Sequence, residues 1–114
     1  MKITNKTKNT VISVKASKAD NFFTRMIGLL NRSTLNQGEG LIITHCNSIH
    51  MFFMRFAIDC IFVNKENKIV GLVENIKPFR LSRIFLQSSF VIEVPVGTIG
   101  QSNSSIGDEI EIVQ

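Results

Sequence analysis

Cys46, Ser48, His50, Met54, Arg55 and Asp59 fall within one stretch, Cys46-Asn47-Ser48-Ile49-His50-Met51-Phe52-Phe53-Met54-Arg55-Phe56-Ala57-Ile58-Asp59. Thiolate, imidazole and thioether are soft ligands, so Cys46, His50 and Met54 raise the chemistry of a copper or zinc site. The spacing argues against it. Residues four apart on a strand lie about 13 Å from one another, whereas metal bonds are about 2–2.3 Å long. Only a chain folded back at Asn47-Ser48 could bring His45 or Cys46 toward His50, so no metal is assigned. His50 is instead expected to bond a backbone carbonyl, with the methionines filling gaps in the core.

Two carboxylates stand in apolar strands, Asp59 between Ile58 and Cys60, and Glu93 between Ile92 and Val94. If buried, each must be paired or hydrogen-bonded. Arg25 and Arg55 are the candidate partners. With His50 nearby, Asp59 and Glu93 could act as general acid and base of a hydrolase or metal-dependent enzyme. The competing role is to anchor turns and strand ends. No nucleophile motif or phosphate loop accompanies them, and Gly38-Glu39-Gly40 is too short to cradle a phosphate. No cofactor is implied, and catalysis is the alternative to the favoured reading.

That reading is recognition. His50 and Arg55 supply donors, Asp59 orients them, Phe52, Phe53 and Met54 form an apolar floor, and Arg25, Ser48 and Glu93 complete the rim. The partner is expected to be an unknown protein or small molecule. Lys77, Arg80 and Arg83 around Pro78 are a candidate anion-binding cluster, unless they only solvate their loop.

The elements that must position these groups follow from composition and periodicity. The chain has 114 residues, 44% hydrophobic and 19% charged, which predicts one globular domain with its own core. Nine Phe with no Trp or Tyr suit a dry interior. Formal net charge is +4. Residues 1–9 form a basic arm, but no aromatic is interleaved among the lysines for base stacking, so a solvated tail is preferred to a nucleic-acid contact. No apolar run reaches a membrane span, and none follows the basic start as a secretory signal would require. Two cysteines at no metal-type spacing read as reduced thiols. A cytoplasmic monomer is expected, with a mature exported fragment as the alternative.

Thr10 to Val14 is the first clear strand. Ser17 is a plausible helix N-cap, Ala19, Phe22, Phe23, Met26, Ile27 and Leu30 fall at helical spacing on one face, and Gly28 can end the helix at about Ile27. Strands are predicted at Leu41 to Thr44, His50 to Met54, Ile58 to Val63, Lys68 to Val73, Phe90 to Val94 and Glu109 to Val113. Asn64 to Asn67 closes a hairpin, and Gln101 to Ser105 is a polar loop. The fold class is therefore mainly β: an antiparallel sandwich or partly closed barrel of six to eight short strands with one packed helix.

The ordered landmarks Arg25-x-x-Gly28-Leu29, Glu39-Gly40-Leu41, Ser48 to Asp59, Phe62, Lys77-Pro78, Glu93-Val94-Pro95-Val96-Gly97 and Gly107-Asp108 resemble those of the domain-of-unknown-function family 192. The resemblance runs from about Arg25 to the C-terminus. It implies a compact β-rich sandwich and no particular activity. The family commonly carries proline where this chain has Ala57, so the fixed φ that would sharpen the break before Ile58 is absent.

Overall fold

The strand Ile58–Val63 is buried at every position, which an exposed-face sheet does not allow and a sheet covered on both sides requires. In the computed structural model, which describes residues 1–20 and 34–114, this strand sits beside the middle of a five-stranded sheet. Eight strands are present among the described residues: β1 (Lys2–Asn5), β2 (Thr10–Ser13), β3 (Lys15–Ala19), β4 (Glu39–Thr44), β5 (Ile58–Val63), β6 (Ile69–Ile76), β7 (Phe90–Val94) and β8 (Ile110–Val113). The helix α1 (Thr98–Gln101) is a single turn. The larger sheet has the order β3-β4-β7-β5-β6, and a smaller one has the order β2-β1-β8. The two sheets remain separate and do not close into a barrel.

Register assigns each side chain to a face, because residues directly opposite in an antiparallel pair point the same way. Ile61 opposes Ile92, and Ile42 also opposes Ile92. These residues pack with Ile3, Ile12 and Ile110 of the smaller sheet, forming the core of the sandwich. The alternate residues Cys60, Phe62, Val91 and Ile43 point the other way, against Ile49, Met51, Met54 and Leu35. One sheet face is thus covered by strands, and irregular segments contribute to the cover of the other.

Several sequence-based expectations change here. The basic arm at residues 1–9 is instead β1 and its turn, because fully buried Ile3 anchors a strand paired on both sides. Ser17 and Ala19 are not in a helical first turn. They lie in β3, whose weak β propensity is overridden by pairing with β4. That pairing is parallel, so the sheet is not wholly antiparallel. The rest of the predicted helix, with Phe22, Phe23, Met26, Ile27 and Leu30, lies outside the described residues. Gln101 belongs to α1 instead of a loop. Strands β5 and β7 keep their predicted bounds.

Gly71 on β6 shows how tightly the second face is packed. A Cβ there would overlap the ring of Phe85, which lies against Phe62 with centroids 4.3 Å apart. Gly71→Ala is expected to destabilise the fold by about 1–3 kcal/mol by forcing Phe85 off the sheet. Denaturant unfolding checks this, and in a Phe85→Ala background the same substitution should cost much less, since the clash is gone.

Candidate functional site

After β4 the chain turns through His45, whose φ is 52°, and crosses the second sheet face before entering β5. Residues 50–54 were expected to be a strand. The structure shows only an isolated bridge, His50 to Leu81. The alternation of burial is right, with Ile49 and Met51 inside, but the partner is the loop after β6 and the pairing is irregular. Met51 N–H donates to Arg80 O at 2.9 Å, and Phe79 N–H to Met51 O at 2.7 Å. Ser82 N–H donates to Ile49 O, Ser82 Oγ accepts from Ile49 N–H at 2.8 Å, and Phe85 N–H donates to Asn47 O. Residues 46–51 and 79–89 are therefore zipped together.

The tip of this zipper carries exposed rings. Phe53 is 65% exposed and Phe79 61%, and their centroids lie 6.2 Å apart in an edge-on arrangement. Both have left-handed backbone, with φ of 66° and 65°. For a bulky residue that conformation costs roughly 1–2 kcal/mol and persists only where surrounding bonds enforce it. Here the enforcing bonds are those from Met51 to Phe79 and Arg80, together with the Met51–Met54 turn. His50 lies 4.8 Å from the Phe52 ring, which is itself exposed.

The cationic residues sit on the same two segments. Arg55, Lys77, Arg80 and Arg83 are all exposed, and Arg83 places its guanidinium 4.8 Å over the Phe85 ring. Neither segment contains an Asp or Glu. Ser48 is half-buried, and its carbonyl accepts from Cys46 Sγ at 3.0 Å. Met54 is buried in the second core, so it supports the apolar floor from below while Phe52 and Phe53 form its surface. Among the described residues no three His, Cys, Asp or Glu side chains are grouped to hold a metal ion.

Asp59 does not orient His50 or Arg55. Its side chain is fully buried and accepts three backbone N–H groups: Asn75 on Oδ1 at 2.8 Å, and Gly97 and Ile99 on Oδ2 at 3.1 Å each. It thereby ties β5 to a left-handed residue of β6 and to the turn that opens α1. Gly97 has φ of 98°, a conformation that favours glycine. Asp59 opposes Val94 while Glu93 opposes Cys60, so the two carboxylates point to opposite faces of the sheet. An acid–base pair made of Asp59 and Glu93 is therefore ruled out by register alone. Glu93 is fully buried on the face that carries Cys60 and Phe62. Arg25, the other expected partner, lies outside the described residues.

A second polar cluster was missed in the sequence. Buried Asn5 donates through Nδ2 to Ser104 Oγ at 3.0 Å and to Asp108 Oδ2 at 2.9 Å. Lys8 Nζ and Ser105 N–H also donate to Asp108 Oδ2, each at 2.9 Å. Burial raises the Asp108 pKa, but the hydrogen bonds from Asn5, Lys8 and Ser105 and the charge of Lys8 together outweigh it and hold the carboxyl below its usual range. The available signal was Gly107-Asp108 following Ser102-Asn103-Ser104-Ser105, residue types that bond their own turns. What sequence could not show is that Asn5 and Lys8 reach this turn from β1 and the residues after it.

Strands in two facing sheets with irregular segments over the outer face place the chain in a class of small sandwich proteins known from crystal structures. A protein of unknown function from Novosphingobium aromaticivorans superposes with a TM-score of 0.79 at 19% identity, covering 97% of this chain and 82% of its own. A proposed transcription regulator from Sinorhizobium meliloti gives 0.77, also at 19% identity, covering 96% and 89%. Those likenesses establish the fold. Residues 2–112 match DUF192, described as an uncharacterized ACR, and the chain belongs to that family. It is 39% identical to a UPF0127 protein of Thermococcus sibiricus over 111 residues, 94% of this chain and 71% of the relative. A UPF0127 protein of Pyrococcus furiosus is 34% identical over 94% of each chain.

Two outcomes test these assignments. Asp59→Ala should cost about 3–5 kcal/mol because three backbone N–H groups, that of Ile99 buried, lose their acceptor, and Asp59→Asn should recover only part of it, since its NH₂ would face a donor. Thermal or denaturant unfolding of the two variants checks the order. For Asp108 the folded pKa lies below the unfolded value, so its contribution is present above the carboxylate range and is lost as pH falls through the folded pKa. The stability gap between wild type and Asp108→Asn should therefore narrow from pH 7 to pH 3 in parallel denaturant titrations.

Proposed function

We propose that this chain is a non-catalytic recognition domain that binds an anionic partner through the rim formed by segments 45–57 and 77–89. The observation that carries this reading is the pair Phe53 and Phe79. Two solvent-facing phenylalanines are held in left-handed backbone by a ladder of hydrogen bonds, among four cations and no acids. Two exposed rings in strained backbone cost the fold stability that their mutual edge-on contact offsets only in part, and strain kept at a surface points to a place used for contact.

In this reading His50 and Arg55 offer donors at the rim, Phe52, Phe53 and Phe79 form the apolar platform, and Lys77, Arg80 and Arg83 attract negative charge. Asp59 serves as foundation, holding β5, β6 and α1 in register beneath the rim. A hydrolase using Asp59 and Glu93 together is disfavoured, because register sends them to opposite faces. A nucleic-acid role for the N-terminal lysines is also weakened. Lys8 meets Asp108 at 2.9 Å and Lys6 meets Glu109 at 3.6 Å, so both already neutralise acids.

The test is native mass spectrometry of the untagged protein from its own host, followed by titration of whatever is retained. A His50→Ala/Arg55→Ala double variant should bind that molecule at least roughly tenfold more weakly, with unchanged unfolding behaviour. Equal affinity in the double variant would remove the rim from consideration.

A further inference from the structure

The rim has a shape and a charge pattern that narrow its partner. Five of its apolar side chains are exposed, Phe53 at 65%, Phe79 at 61%, Leu81 at 66%, Ile84 at 57% and Leu86 at 86%, the last two beside a shallow pocket that Arg83 also lines. They alternate with cations in Lys77-Pro78-Phe79-Arg80-Leu81-Ser82-Arg83-Ile84-Phe85-Leu86, a segment with no acid. The nearest acid in sequence is Glu74, exposed on β6 three residues before Lys77.

We infer that this face seats on an anionic lipid surface, an inference that rests on the recognition reading above. A folded partner would need a concave surface matched to the exposed Phe53, Phe79 and Leu81. A fluid bilayer interface accepts protrusions of any outline, with apolar tips at the acyl boundary and long cationic side chains reaching back to the phosphates. The interleaving of Phe79, Leu81 and Ile84 with Arg80 and Arg83 meets both requirements from one loop. The loop is also held before it binds: Phe85 is stacked on Phe62 against Gly71, and the ladder to Asn47, Ile49 and Met51 fixes its backbone. Insertion therefore orders little that is not already ordered. Phe53 and Phe79, both in left-handed backbone, stand at the end of the zipper where Met51 bonds Phe79.

Co-sedimentation of the full chain with vesicles provides the test. Vesicles of phosphatidylcholine with phosphatidylglycerol should bind the protein, vesicles of phosphatidylcholine alone should bind it much less, and added salt should release it. Lys77→Gln and Arg80→Gln should each weaken binding about fivefold. Phe53→Asn/Phe79→Asn should weaken it at least roughly tenfold while unfolding at or above the wild-type temperature, because Asn accepts the left-handed backbone. That combination separates a contact role from a structural one. Failure to bind either vesicle overturns the inference, as does binding to anionic vesicles that the phenylalanine variant leaves unchanged. A parallel array of acidic peptides separates the two readings. Phe53- and Phe79-dependent peptide binding without vesicle binding would sink the lipid surface and keep recognition, whereas neither would sink both.

Discussion

The five-stranded sheet is apolar on both faces, and the rest of the molecule follows from having to cover it twice. Ile61, Val63, Ile92 and Val94 require one layer, and Cys60, Phe62 and Val91 require another. Burial of each such side chain is worth about 1.5–3 kcal/mol, so neither face can be left to water. The smaller sheet, with Ile3, Ile12 and Ile110, covers the first. On the second face the described cover is irregular chain, and irregular chain brings unpaired backbone groups into a region that excludes water.

Those backbone groups explain the odd construction of the rim. Ile49 and Met51 cannot join a sheet ladder, so they bond across to Ser82, Phe79 and Arg80 of the other loop. The same demand recurs at the sheet ends. The N–H groups of Asn75, Gly97 and Ile99 converge on one buried carboxylate, and Asn5, Ser105 and Lys8 converge on another. Asp59 and Asp108 thus stand where strand geometry runs out and side-chain oxygens replace the ladder. Polar residues that look like chemistry in a linear reading are, at these two places, the means of ending strands inside a core.

The exposed rings belong to a different account. Phe62 and Phe85 are consumed by packing, while Phe53 and Phe79 are turned outward at a conformational cost. Placing strain at the end of a well-anchored zipper separates the scaffold, which must be rigid, from a contact surface, which must be accessible. The absence of acids in both loops gives that surface one sign of charge.

Strands β5 and β7, the hairpin to β6 and the final strand could be read from the sequence because their apolar runs and turn residues are local signals. Local signals also marked Asp59 as a carboxylate that needed partners. They did not reveal β1, which has one deeply buried apolar residue and owes its place to pairing on both sides. Nor did they show β3, where alanine, serine and lysine are extended only because β4 lies alongside. Which face each carboxylate takes was likewise settled by register between strands distant in sequence, and that register separates Asp59 from Glu93. By itself the sequence determined the class of fold, the central strands and the basic, aromatic character of the rim, since these rest on composition and period. Tertiary structure alone decided the pairing of the two loops, the outward set of Phe53 and Phe79 and the partners of Asp59, because each depends on backbone groups brought together from far along the chain.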